Sequence, residues 1–245
     1  MDPGGPLLPD LPILVAAFGI CFAAALVQGV VGFGFALLSV PLCALVDTSL
    51  VPVPQAILSL FLSLPMAIAG RHHLQPRRVA WVLAGWLPGV GAGLLLLRVL
   101  PPRTLTIALA IFVLVAVTLV TLGLRLRRRP PTELAVGFFA GLGSLVSSIS
   151  GPPVALLYKD EHGPSLRANL ALIFVAGVCL TLTGRLIAGR IGAHDLAVAA
   201  CLAPALLLAL LAARVVAPRV EGPRLRGAVL LLAGLAGVTL LLRAL

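Results

Sequence analysis

The sequence predicts an all-α, multi-pass integral membrane protein made of two homologous repeats. Three observations carry that reading: a composition dominated by apolar residues, apolar runs joined by short basic loops, and a glycine, serine and proline interruption at a matching place in each half. Hydrophobic residues make up 60% of the 245 positions and charged residues 11%, against roughly 25% charged in a soluble domain. A net charge of +10 would hint at nucleic acid in a soluble chain. Here the arginines lie between apolar segments, which is the positive-inside pattern and not a DNA-binding face.

The first apolar run, about 11–29, follows an N-terminal stretch holding two acids and no base. A secretory signal would start basic, so this run is expected to remain in the membrane. A break follows, Gln28-Gly-Val-Val-Gly-Phe-Gly-Phe35, and then a run over about 34–46. The first repeat, 1–124, is completed by spans at about 50–70, 79–97 and 104–124. Within the second of these, Gly85, Gly89 and Gly93 form a double GxxxG pattern, which reads as a helix-packing face.

A basic linker, 125–133, leads into the second repeat, 134–245. Its first two runs, about 134–147 and 152–159, flank Ser147-Ser-Ile-Ser-Gly-Pro-Pro153 and are too short to span singly. A crossing helix needs roughly 20 apolar residues, so they predict one broken span or a re-entrant hairpin. Spans at about 166–184, 196–213 and 227–242 follow. Aligning Gly32-Phe33-Gly34-Phe35 with Ser148-Ile149-Ser150-Gly151 gives an offset of 116 residues, and duplicated halves are a common construction among secondary transporters.

Charge decides between two topologies. If each broken segment crosses once, the basic residues divide ten against eight. If each is a hairpin returning to its own side, the second repeat is inverted and the division becomes 13 against 5, with both termini outside. Positive-inside bias favours the inverted arrangement.

A helix break at membrane depth survives only if buried or lining a cavity, so the two breaks mark the candidate site. In the first, Gly32 and Gly34 let backbone amides approach a ligand, Phe33 and Phe35 wall the space, and Gln28 offers a donor and an acceptor. In the second, Ser150 is expected to cap the helix opened by Gly151, Pro152 and Pro153. Its first amides, with the Ser147, Ser148 and Ser150 hydroxyls, form a neutral cradle for an anion. Asn169 and Gln55 sit in matching runs, where they line the path or serve as interhelical glue.

No carboxylate or histidine lies well inside an apolar run, which disfavours a cation pump. No HExxH motif or clustered metal ligands suggest an intramembrane enzyme, and no cofactor or metal is expected. A purely structural membrane subunit leaves the polar breaks unexplained. The four cysteines, without CxxC spacing, read as small buried hydrophobes. Arg71, His72 and His73 read as a positive-inside anchor. The expected partners are the bilayer and a small anionic substrate, with no nucleic acid, and the oligomeric state is left open between a monomer and a homodimer.

The stretch from Gln28 through Pro41, Gln-Gly-Val-Val-Gly-Phe-Gly-Phe-Ala-Leu-Leu-Ser-Val-Pro, and the stretch from Gly141 through Pro153 together resemble the TauE/SafE family of membrane permeases. The resemblance covers about 11–244. It implies a duplicated helical bundle in the inner membrane that moves small sulfur-containing or carboxylate anions. Many members carry glycine runs in both breaks, whereas this chain has Ser-Ile-Ser-Gly in the second.

Overall fold

A computed structural model describes residues 7–74, 76–122, 126–158, 163–220 and 223–244. Among them every regular element is helical. They run α1 (Leu11–Val31), α2 (Phe35–Val46), α3 (Val53–Ala69), α4 (Pro76–Val99), α5 (Pro102–Leu122), α6 (Pro130–Ser147), α7 (Gly151–Leu157), α8 (Gly163–Ile187), α9 (Ala193–Val220) and α10 (Pro223–Ala244). Proline opens most of them, at positions where the missing amide hydrogen has no intrahelical partner to lose. By length and composition four described stretches can cross a membrane: Leu11–Val31, Val79–Val99, Pro164–Ile187 and Ala193–Val216. The chain is an all-α membrane protein.

α6 begins at Pro130, a few residues before the apolar run does. Glu133 is its acidic first-turn residue, and Arg128 of the linker pairs with it at 3.1 Å while donating to the Tyr158 hydroxyl. The linker is thereby tied to the end of α7.

Helix directions follow from which glycines meet which neighbours. Gly85, Gly89 and Gly93 of α4 meet Leu134, Phe138 and Leu145 of α6 in advancing order, so the two helices run parallel. α1 and α9 also run parallel: the Leu7 carbonyl meets the His194 ring near their starts, and Gly29 meets Ala213 near their ends. By contrast α5 and α10 are antiparallel, with Val117 against Gly234 and Val113 against Gly237. Gly70, just past α3, lies on Ala168 near the start of α8, so that pair is antiparallel too.

Lipid tails are as apolar as leucine, so helices here are drawn together by close packing more than by the hydrophobic effect. The tightest seam is α4 on α6. The expected packing face of Gly85, Gly89 and Gly93 meets a second one, Gly137 and Gly141, laid against the carbonyls of Val82 and Trp86. A Cβ at Gly89 would come 2.9 Å from the Phe138 carbonyl carbon and 3.0 Å from the Leu142 amide nitrogen. Backbone cannot yield as a side chain can. We expect Gly89→Leu to destabilise the bundle by about 3 kcal/mol or more, while Gly91→Leu, with open space around it, leaves the detergent melting temperature near that of the parent.

Candidate functional site

Both breaks are built on one plan. α1 ends at Gly32 in the left-handed conformation (φ 96°), its amide donating to the Gln28 carbonyl at 2.7 Å. α6 ends at Ser148, also left-handed (φ 60°), its amide donating to the Ser144 carbonyl at 3.0 Å. These residues are 116 positions apart. A serine tolerates this backbone less readily than glycine, and its hydroxyl donates to the Pro52 carbonyl at 2.6 Å.

α1 is then buttressed by a polar bond to α3, and α6 by one to α8. The Gln28 side chain donates to Ser63 Oγ at 3.2 Å. At the matching place Ser144 and Thr181 hydroxyl oxygens lie 2.9 Å apart, and Trp86 donates its indole N–H to Thr181 at 3.2 Å. Gln28 Oε1 also accepts the Phe35 amide at 3.1 Å. One of the amides expected to face a ligand is therefore held by the protein itself. Those of Ala36 and Leu37 follow it in the first turn of α2, where helix geometry provides no intrahelical partner.

The aromatic residues of the first break play different parts from those expected. Phe35 is wholly buried with α1, α2 and α9. Phe33 packs into the core that α4 forms with α6, α7 and α8, among Trp86, Val154, Tyr158 and Phe174. Ile149, 116 positions later, packs into the other core, which α1, α2, α3 and α5 form with α9 and α10. Phe33 also lies 3.8 Å from where a Cβ on Gly151 would stand. The breaks are in contact through it.

The serines divide. Ser147 donates to the Gly143 carbonyl at 2.7 Å and accepts from the Ile149 amide, so its hydroxyl is largely spent within the chain. Ser150 occupies the cap of α7 with Pro152 and Pro153 in the first turn, as expected, but its side chain makes no capping bond. Its φ and ψ of −126° and −14° differ from the extended backbone that a capping serine adopts. Asn169 is fully buried, with Ser165 Oγ at 3.4 Å. Gln55 is glue: it donates to the Leu50 carbonyl at 3.4 Å and lies against the Cys21 and Cys43 thiols. Those two cysteines are buried as expected, whereas Cys179 and Cys201 are exposed on the outer faces of their helices.

A cavity of about 570 Å³ opens beside the first break, between α1, α3, α8 and α9. Gly29, Gly70, Pro164, Leu210, Arg167 and Arg214 are among its lining. Gly70 and Pro164 stand at the ends of their helices and Arg214 within two turns of the end of α9, so the cavity opens at the end of the bundle that carries Arg71, Arg167 and Arg214, its basic face. Arg167 lies on the break itself: its Cγ would be 3.1 Å from a Cβ on Gly32, and its Nη1 donates to the Val30 carbonyl at 3.2 Å. Near the start of the predicted 166–184 span, Arg167 reads in the sequence as one more of the arginines between apolar segments. At the place matching Gly29 stands Leu145, wholly buried against Gly93 and Gly184.

Residues 17–240 match the family described as sulfite exporter TauE/SafE. The chain belongs to that family. The match takes in both breaks and the helices around them, and makes this TauE/SafE member a membrane protein of an exporter family. No curated protein and no solved structure matches it.

Gln28 holds the first break together, so its loss should register in stability before transport. Gln28→Leu leaves the Phe35 amide buried without its acceptor. We expect a loss of about 1–3 kcal/mol, read as a lower melting temperature in detergent, with Ser63→Ala costing less.

Proposed function

We propose that the protein is a secondary transporter of the cell membrane that moves a small anion, such as sulfite, an organosulfonate or a short carboxylate, held between its two broken helices. The observation that carries this reading is the pair of left-handed helix stops, 116 positions apart and touching through Phe33, beside a cavity lined by Arg167 and Arg214. Irregular backbone at membrane depth is expected where it serves a transported ligand. Amide ends of helices suit a negatively charged one, and membership of an exporter family points the same way.

The halves 1–124 and 134–245 are read as inverted repeats. Helices related by a twofold axis across the bundle run antiparallel where they meet at that axis, as α3 with α8 and α5 with α10 do. Other large contacts come in matched pairs: α1 on α9 with α6 on α4, and α3 on α9 with α8 on α4. Under this reading the basic face is cytoplasmic and the cavity is its vestibule. A single cysteine at Leu7 should react with an impermeant maleimide from outside and one at Arg127 only from inside, in protein lacking its native cysteines. Reaction of both from one side rules the inversion out.

The transport reading is tested in proteoliposomes loaded with labelled sulfite, methanesulfonate or acetate. Ser150→Ala removes a hydroxyl that performs no capping, so stability should hold. Loss of one hydrogen bond to a charged ligand, about 1.5–3 kcal/mol, should weaken apparent affinity about ten- to a hundredfold. Gly34→Leu, placed where φ is 120°, should do more. Transport by folded Ser150→Ala and Gly34→Leu protein equal to the parent would move the site away from the breaks.

A further inference from the structure

α6 and α7 form a hairpin whose open ends meet at the linker, where Arg128 donates to the Tyr158 hydroxyl at 3.1 Å. One face of α6, with Leu134, Gly137, Phe138 and Gly141, is laid on α4. Another face borders a groove of about 380 Å³ between α5, α6 and α7. Thr132 is the one polar side chain in its lining. Val115, Ala135 and Phe139 are exposed along it, so it opens sideways onto lipid tails. From Thr132 to Phe139 it follows α6 for about 10 Å, with Pro153 of the second break toward its inner end and Leu126 of the linker at its outer end.

Empty space in hydrocarbon forfeits contact with the walls around it, so such a groove is filled by whatever apolar matter fits. Helices that pack together in a membrane bring small residues to the contact. The walls here carry Phe112, Leu119 and Phe139 instead, which suits a flexible acyl chain better than a helix of a second copy. The outer end selects its headgroup. Leu126 and Arg128 are half-buried while Arg127 and Arg129 are exposed, the alternation of an extended backbone. Arg128 is held inward by Glu133 and lies over the Tyr158 ring at 4.2 Å. It answers the Glu133 charge. Arg127 and Arg129 thus bring two uncompensated positive charges to the mouth of the groove, and among the described residues neither has a partner.

We propose that this groove is a binding site for an anionic phospholipid, with an acyl chain between α5, α6 and α7 and the phosphate held by Arg127 and Arg129. Arginine at the membrane surface attracts anionic headgroups and pairs well with phosphate oxygens. The site is separate from the cavity lined by Arg167 and Arg214. A lipid seated here touches Pro153 and Leu156 of α7 and so braces the hairpin that carries the second break, whatever the protein transports.

The test uses full-length protein in detergent, titrated with dioleoyl phosphatidylglycerol, dioleoyl phosphatidylcholine or glycerophosphate. Bound lipid is counted by native mass spectrometry, and the melting temperature is followed in parallel. Phosphatidylglycerol should be held about thirtyfold more tightly than phosphatidylcholine and should raise the melting temperature. Glycerophosphate, which has no chains, should do neither. The double variant Arg127→Gln, Arg129→Gln alters only exposed side chains and should bring phosphatidylglycerol down to the phosphatidylcholine level. Ala135→Trp and Val115→Trp, which fill the groove from opposite walls, should weaken retention of both lipids; if neither folds, the arginine variant decides. Equal affinity of the parent for the two lipids, glycerophosphate binding as tight as phosphatidylglycerol, or an unchanged preference in the arginine variant overturns the proposal. So does unchanged retention by folded tryptophan variants, including the case in which Ala135→Trp instead dissociates a dimer and assigns the groove to a second copy.

Discussion

The bundle depends on the requirement that a helix stopped inside a membrane still satisfy its backbone. Water is absent there, and each unpaired amide or carbonyl costs several kcal/mol. At Gly32 and Ser148 the chain turns through a left-handed residue that returns its amide to the carbonyl four positions back. Neighbouring side chains then take up other groups the stop exposes: Gln28 holds the Phe35 amide, Ser147 the Ile149 amide, and Arg167 and Arg185 of α8 a last-turn carbonyl each. The place of α8, and through it of α3 and α4, follows from having to serve both stops.

Around that centre the helices pack by absence of side chain. The α4 and α6 seam brings backbone against backbone at four glycines, Gly85, Gly89, Gly137 and Gly141, and Gly177 admits the Trp86 indole at 2.5 Å from where its Cβ would be. Trp86 is in turn held by Thr181. The α1 and α9 seam uses the same device more sparingly, with Gly29 on Ala213, and there the cavity opens. The two seams differ in tightness, and the bundle is closed beside one break and open beside the other.

Much of this was legible in the residues. The breaks, their 116-residue spacing, the proline helix starts and the Gly85 packing face all lie in local pattern, because each reflects what one stretch of backbone can do. What escaped were the directions of side chains across the bundle. Arg167 and Arg185 sit near segment ends and read as loop charges, since nothing nearby in sequence says that they turn inward. Ser150 looks like a helix cap, yet its backbone departs from the capping conformation. Phe33 looks like a cavity wall, but its neighbours come from 82–174 and no local spacing announces them. Cys179 and Cys201 share the apolar context of Cys21 and Cys43, and only packing decides which of them face outward.

The make-up of the two cores bears on how the chain is made. Each draws on helices from both sides of the linker, α9 and α10 packing in with α1, α2, α3 and α5, and α4 with α6, α7 and α8, so neither is filled by one half alone. As synthesis proceeds, α1 to α5 enter the membrane with both cores incomplete, until residues after the linker arrive. The first half is thus held in waiting, and final packing becomes a single closing event shared by both.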